Sequence, residues 1–235
     1  MSLRNANQIK SGTLYVVATP IGNLEDITLR ALLTLQNCDV IVAEDTLRTS
    51  RLLKHYQIQK TLISLHRFNE VSRCKKVLTL LGSGKSIAMV SDAGTPLISD
   101  PGQLLINQCI EHNIPVIALP GASAVLHALV VSGISCTPFF FAGFLPSKLN
   151  QRFQKLTELT QMTHTVVFFE SPQRVQQTLL MLQKLAPERK ICVARELTKI
   201  HEEVIRGKVD LVAKLISEKP IRGEFTIVLE GNKTK

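Results

Sequence analysis

The chain has 235 residues, 45% of them hydrophobic, enough for one large domain or two modest ones. Its 28 Lys+Arg against 19 Asp+Glu leave a formal net charge of +9, which suits a phosphate-rich partner, while no Trp, two Tyr and nine Phe leave few rings for a broad base-stacking platform. The cysteines (Cys38, Cys74, Cys109, Cys136 and Cys192) are far apart, odd in number and without metal spacing, so they read as reduced, packed thiols of a cytoplasmic protein.

The polar start, Met1 to Lys10, lacks the apolar core of a signal peptide, and the most apolar window, Val116 to Ile134, is broken by Pro120, Gly121, His127 and Gly133. The β-branched run Thr13–Ala18 predicts a strand, followed by the loop TPIGNLEDIT and a helical stripe of Leu29, Leu32, Leu33 and Leu35. Asp39–Ala43 is the next strand, ending in Glu44-Asp45-Thr46, with a helix through Leu52 and Leu53 behind it. A strand near Leu62–Leu65 runs into His66-Arg67-Phe68-Asn69-Glu70, and a helix of Val77, Leu78, Leu80 and Leu81 follows. Ile87–Val90 then reads as a fully buried strand that opens into the long small-residue loop SDAGTPLISDPG, Ser91–Gly102, before another helix. Pro115–Leu119 is one more short strand, and PGASA opens a helix over Val125–Val131.

Repeated strand–loop–helix units predict a doubly wound, mostly parallel sheet, with ligands at the carboxyl ends of its strands. The pattern changes at Gly133: Pro138–Phe144 is an aromatic strand, FLPSK reads as a hinge, and Gln151–Leu159 is basic and amphipathic. Thr165–Phe169 (strand), Val175–Leu185 (helix), Ile191–Ala194 and Glu202–Arg206 (strands), Val209–Ile216 (helix) and Phe225–Leu229 (strand) complete a mixed α+β half. The expectation is an α/β protein of two domains, 1–133 and 134–235, with a cleft between them.

The loops 19–23, 44–46, 91–96 and 120–123 would emerge on one edge of a parallel sheet, where small residues let a ligand approach the backbone. The long loop has no Gly-x-Gly-x-x-Gly or Gly-Lys-Ser/Thr pattern and no Lys or Arg between Ser91 and Gly102, which argues against a dinucleotide or phosphate ligand and for a neutral or zwitterionic one. Asp92 and Asp100 could meet an amino group or ribose hydroxyls; turn and cap duty is as common for Asp in such loops. FFESPQR (168–174) and ARELTKIHEE (194–203) combine carboxylates with cations at strand ends, where a structural ion-pair network competes with catalysis as the explanation. His66, His127 and His201 have no partner at metal spacing.

Taken together and in order, VVATPIGNLEDIT, AEDTLRTS, LHRFNE, MVSDAGTPLISDPG, ALPGASA, FAGFLPSK, FFESPQR and ARELTKIHEE resemble the tetrapyrrole-methylase superfamily of S-adenosylmethionine-dependent methyltransferases. Within it, they are most similar to the branch that methylates the ribose 2′-hydroxyl of a cytidine in small-subunit (16S) ribosomal RNA. The resemblance implies a homodimer of two-domain subunits binding S-adenosylmethionine. By motif, the cofactor contacts would be Pro20, Asp92, Ala93, Gly94, Thr95, Ile98, Ser99, Pro120, Ala122 and Ser123, joined by Phe169, Ala194, Arg195, Glu196, Leu197 and Thr226 from the second half. Thr95 stands where much of the superfamily has aspartate, and the small helical carboxyl-terminal domain of many members is expected to be absent here, since the chain stops at Lys235.

Methyl transfer from a sulfonium requires alignment and help with proton loss from a weak nucleophile. Glu44, Asp45, Glu170 and Lys199 are the candidates for that help, and Arg48, Arg67 and Arg174 read as substrate or phosphate holders. The rival readings are methylation of a small tetrapyrrole and a non-catalytic rRNA-binding or assembly factor on the same scaffold.

Overall fold

Up to residue 119, aliphatic runs too short for helices alternate with helical stripes, and each run becomes a strand. The computed structural model describes residues 9–218 and 221–233, so most of the polar start and the chain's last two residues lie outside the described residues. The first unit, which ends at Ser123, contains β1 (Leu14–Val17), α1 (Leu29–Asn37), β2 (Val40–Ala43), α2 (Thr46–His55), β3 (Thr61–Ser64), α3 (Glu70–Gly82), β4 (Ile87–Val90), α4 (Gln103–Glu111) and β5 (Val116–Leu119). The strands lie in the order β3-β2-β4-β1-β5 and every pairing is parallel.

Alternation along the strands sends Leu14, Val16, Val42, Ile87 and Met89 to one core with Cys74 and Val77 of α3 and Leu105 and Cys109 of α4. The opposite row, Tyr15, Val17, Ile41, Ala43 and Val90, packs with Ala31 and Leu35 of α1 and Leu53 of α2. A sheet covered on both faces needs apolar residues at every position, which is why its strands read as continuous hydrophobic runs. Because the strands all point one way, their five outgoing loops share one edge.

The second unit, from Ala124, contains α5 (Ala124–Ser132), β6 (Phe139–Phe144), α6 (Leu149–Gln161), β7 (Thr165–Glu170), α7 (Val175–Leu185), β8 (Lys190–Arg195), β9 (Glu203–Lys208), α8 (Val209–Ser217) and β10 (Phe225–Leu229). Its sheet runs β6-β7-β10-β8-β9, parallel between β6 and β7 and antiparallel elsewhere. Leu156, Leu159, Val175, Leu179, Leu182, Val212 and Ile216 of α6, α7 and α8 close over Val166, Phe168, Val193 and Ile227.

The two-unit division differs from the expected one by a helix. The sequence reading breaks the chain at Gly133, whereas the units part between Ser123 and Ala124, because α5 lies against β7, β8, β9 and β10 with Val125, Ala128 and Leu129 buried. A helix this uniformly apolar carries no stripe to say which sheet it serves; Gly133 only supplies the left-handed turn after it, at φ 71°.

Cys38, Cys74, Cys109 and Cys192 are buried free thiols and Cys136 is exposed. Burial pushes the thiols of Cys38, Cys74 and Cys109 up to about 11, so they stay protonated. Among the described residues no group of His, Cys, Asp or Glu could hold a metal ion, and no helix is long and apolar enough to cross a membrane.

Candidate functional site

The loop after β4 is the hub of the first unit's carboxyl edge. Thr19 N–H donates to the Gly94 carbonyl and Gly94 N–H to the Thr19 carbonyl, both at 2.9 Å, which ties the loop after β1 to it as an antiparallel bridge. Thr95 Oγ1 donates to the Ala122 carbonyl at 3.0 Å, bringing in the turn after β5. That turn rests on the end of β1 so closely that a Cβ at Gly121 would lie 2.7 Å from the Ala18 Cβ, so glycine alone fits. From the loop after β2, Asp45 N–H donates to Asp92 Oδ1 at 3.1 Å and Arg48 pairs with Asp92 at 3.4 Å.

The loop after β3 completes the arrangement. Arg67 Nη2 donates to the Ser99 carbonyl at 3.3 Å, and Glu70 Oε1 accepts from Gly102 N–H at 3.0 Å and Leu104 N–H at 3.1 Å. Glu70 thus caps α4 from a neighbouring helix, a duty that Gly102 at its N-cap has no side chain to perform. The gripped segment holds Leu97 at φ 75° and Ser99 at φ 77°, left-handed conformations that cost free energy for side chains and persist only under such restraint.

Electrostatically this edge is acidic and only partly compensated. Burial raises the pKa of Glu44, and the nearby Asp100 and Asp92 carboxylates raise it further. Asp92 and Asp100 are raised as well, first by burial. Asp45 behaves oppositely: its Oδ1 accepts from Leu47 N–H at 2.8 Å and Arg48 N–H at 3.2 Å as the N-cap of α2, and those bonds lower its pKa. A capping carboxylate held in its charged form is a poor proton acceptor, so Glu44 is the better placed of the two.

The second unit's strand ends use the same residue types differently. Glu170 has a fully buried side chain whose oxygens accept from Thr178 Oγ1 at 2.7 Å, Ser171 N–H at 2.8 Å and Arg174 Nη2 at 2.8 Å. Arg174 also donates to Ser171 Oγ and the Leu145 carbonyl. Glu170 and Arg174, expected as a catalytic and a substrate-holding residue, each have partners inside the unit, which favours an anchoring role for FLPSK and FFESPQR.

Lys199 Nζ donates to Glu196 Oε1 at 2.7 Å and Glu224 Oε2 at 3.2 Å. Burial works to lower the Lys199 pKa, but the bonds to the two glutamates outweigh it and the pKa is raised. The two glutamates hold it as an ion-paired cation. Glu196, at φ 51°, also accepts from Glu224 N–H, and a Cβ at Gly223 would lie 2.4 Å from the Glu196 Cγ, so only glycine admits this knot. Arg195 pairs with Glu203 at 3.3 Å, and Leu197 is buried.

Of the residues expected to hold the cofactor, Asp92, Ala93, Gly94, Thr95, Ala122 and Ser123 occupy the joined loops of the first edge, with Pro20 buried beside Thr19 and Pro120 exposed. Ile98 is exposed and Ser99 stands on the Arg67 side of the same loop. Phe169, Thr226 and Ala194 fall in one row across β7, β10 and β8. Sequence reasoning missed Thr19 and Glu70, whose roles run through backbone atoms of distant segments; a first-turn acid such as Glu70 carries no signal of which helix it caps.

Comparison with known proteins agrees with this architecture. A family model described as Tetrapyrrole (Corrin/Porphyrin) Methylases matches residues 13–213. A Halalkalibacterium halodurans protein named ribosomal RNA small subunit methyltransferase I is 45% identical over 224 residues, 95% of this chain and 78% of its own. Relatives of that name from Synechocystis sp. (48% identical, 94% of this chain, 79% of that one) and Thermotoga maritima (47%, 94% and 99%) are similarly close. Among solved structures, a cobalt precorrin-4 methyltransferase superposes with a TM-score of 0.70 at 17% identity, covering 98% of both chains. A Thermus thermophilus uroporphyrin-III C-methyltransferase complexed with S-adenosyl homocysteine gives 0.65 at 16%, covering 93% of this chain and 97% of that one.

Proposed function

The chain belongs to the tetrapyrrole methylase family, and from that premise we propose that it is an S-adenosylmethionine-dependent methyltransferase acting on small-subunit ribosomal RNA. The observation that carries this reading is likeness along almost the whole chain to relatives named for that activity. The finer statement, transfer to the 2′-hydroxyl of a cytidine by a cytoplasmic homodimer, rests on the motifs quoted above.

The first edge suits such a cofactor chemically. Its grouped carboxylates, Glu44, Asp92 and Asp100, favour a ligand bearing positive charge, and they can accept hydrogen bonds from ribose hydroxyls. When bound, S-adenosylmethionine supplies a methyl group activated by positive sulfur. The protein's part is to hold and orient the reactants and to take a proton. Gly94 and the Ala122 turn offer backbone at close range, and Asp92 and Asp100 serve as acceptors.

Glu44 takes the proton leaving the ribose oxygen. Burial and the neighbouring Asp100 and Asp92 raise its pKa, which makes it a stronger base than an ordinary glutamate. Arg48, 61% exposed at its side chain, remains available to phosphate.

The test is incubation with methyl-labelled S-adenosylmethionine and either small ribosomal subunits, naked 16S rRNA or a precorrin, followed by mapping of the label. Label at a cytidine ribose supports the reading. Label only in the precorrin, or salt-sensitive rRNA binding without any methyl transfer, replaces it with one of its rivals.

A further inference from the structure

The first edge carries an aromatic ring that lies outside the core, its ring contact being an edge-on one to His66 at 6.1 Å. Phe68 is 98% exposed, far beyond the other exposed phenylalanines Phe139 (40%), Phe140 (38%), Phe144 (56%) and Phe153 (39%). A fully solvated phenyl ring forgoes the stabilisation that burial would give it, and a single exposed apolar residue is by itself ordinary. The turn that presents it is what distinguishes this one.

His66–Asn69 is a closed, pinned turn. Asn69 N–H donates to the His66 carbonyl at 3.0 Å, and His66 N–H donates to Asn69 Oδ1 at 2.8 Å. Phe68 N–H donates to His66 Nδ1 at 3.3 Å, and Asn69 Nδ2 reaches back to the Ser64 carbonyl at 3.3 Å. Four hydrogen bonds thus fix a turn whose central residues, Arg67 and Phe68, point a guanidinium along the edge and a ring into water. Rigid presentation removes the ordering cost that a flexible loop would incur on binding.

The neighbourhood indicates what the ring would meet. Arg67 donates to the Ser99 carbonyl and lies close enough to Glu44 and Asp100 to influence both charges, and the ring is carried by the next residue along the chain. Arg73, Lys75 and Lys76 are exposed on the helix that follows directly. A bare aromatic face among cations beside a ribose site matches an unpaired nucleobase with its backbone phosphates, the combination by which proteins hold single-stranded RNA. An apolar protein partner would instead call for a broad patch with charges excluded from its centre.

We infer that Phe68 is a stacking platform for an unpaired base of the RNA substrate, flanking the nucleotide that is methylated. The inference rests on the RNA-methylation reading and adds a substrate-recognition residue to it. It concerns RNA affinity alone, not the cofactor.

The chain contains no Trp, so Phe68→Trp installs its sole indole at the proposed contact. Titrating this variant with in vitro-transcribed 16S rRNA should quench its fluorescence saturably, and inorganic polyphosphate, which offers charge without bases, should not. Phe68→Ala should weaken rRNA binding by about five- to a hundred-fold, Phe68→Tyr should restore it, and the Kd for S-adenosylhomocysteine should stay within about two-fold of the parent's, since no cofactor contact is removed. Because the ring packs against no core, these replacements spare the fold. The inference falls if rRNA binds without quenching, if Phe68→Ala binds rRNA as the parent does, or if indole emission depends on protein concentration without RNA, which would indicate a protein contact. A parent protein that binds no rRNA in a filter assay overturns the function reading first, and this inference with it.

Discussion

The strand-end loops of the first sheet and those of the second are built from the same residue types and differ in how their charges are settled. In the first, Glu44, Asp92 and Asp100 crowd together and burial raises all three pKa values. In the second, Glu170 is enclosed by Thr178, Ser171 and Arg174, and Glu196 is held by Lys199. Burial works to raise the Glu196 pKa, yet the bonds from Lys199 and Glu224 N–H outweigh it and lower the pKa. A fully partnered charge holds structure; a carboxylate left short of partners retains its basicity. This contrast supports the proposal that places the chemistry at the first edge, while the charges at the second unit's strand ends serve its own structure.

The sharpest way to break this contrast is Glu44→Gln, which should cut methyl transfer by about 10²–10⁴-fold while weakening S-adenosylhomocysteine binding, read by calorimetry, far less. The same variant should melt higher than the parent at neutral pH. A carboxyl whose folded pKa is raised stabilises the fold fully below its unfolded pKa and loses that contribution as pH rises through the folded value, so at pH 7 the charged group is a burden that the amide lacks. Unchanged turnover would remove Glu44 from the mechanism.

Glu170→Ala should do the reverse, costing about 3–5 kcal/mol of stability because it strands Arg174 and the Thr178 hydroxyl. Chemical denaturation measures it, and a cost below 1 kcal/mol would refute the anchoring role.

Glu70→Ala comes next: two amides at the start of α4 lose their acceptor, worth about 1–3 kcal/mol. Hydrogen exchange at Gly102 and Leu104 should accelerate, and Glu70→Gln, which keeps an acceptor oxygen, should recover part of the protection.

The smallest effect is expected away from both edges. Asp39 is held down to about 2 by the backbone and hydroxyl of Ser86, with Lys85 adding to them. Its contribution is present above the ordinary value of 3.8 and lost as pH falls through about 2. Asp39→Asn should lower stability by less than about 1 kcal/mol at neutral pH, with the difference shrinking to nothing in strong acid.

Much of this architecture is legible in the residues. Val175–Leu185 and Phe225–Leu229 agree with the sequence reading to the residue, since clear stripes and bounded β-branched runs leave little choice. The loop after β4 stands out by composition alone. The sheet to which α5 belongs does not, because its apolar residues run all round it. The partners of Glu170 and Asp45 are equally hidden, since local sequence shows a carboxylate beside an arginine but not whether the pair is sealed or open. Glu70 capping another helix and Gly223 yielding to Glu196 are facts of three-dimensional proximity that no spacing encodes.

The loop from Ser91 to Gly102 is braced by the loops after β1, β2, β3 and β5 at once. Changing its length by one residue would be felt at every brace, so it should tolerate insertion far less than a typical surface loop. A chimera that borrows another specificity from a relative would have to exchange all five connections as a set. Swapping the loop after β4 alone leaves four mismatched supports.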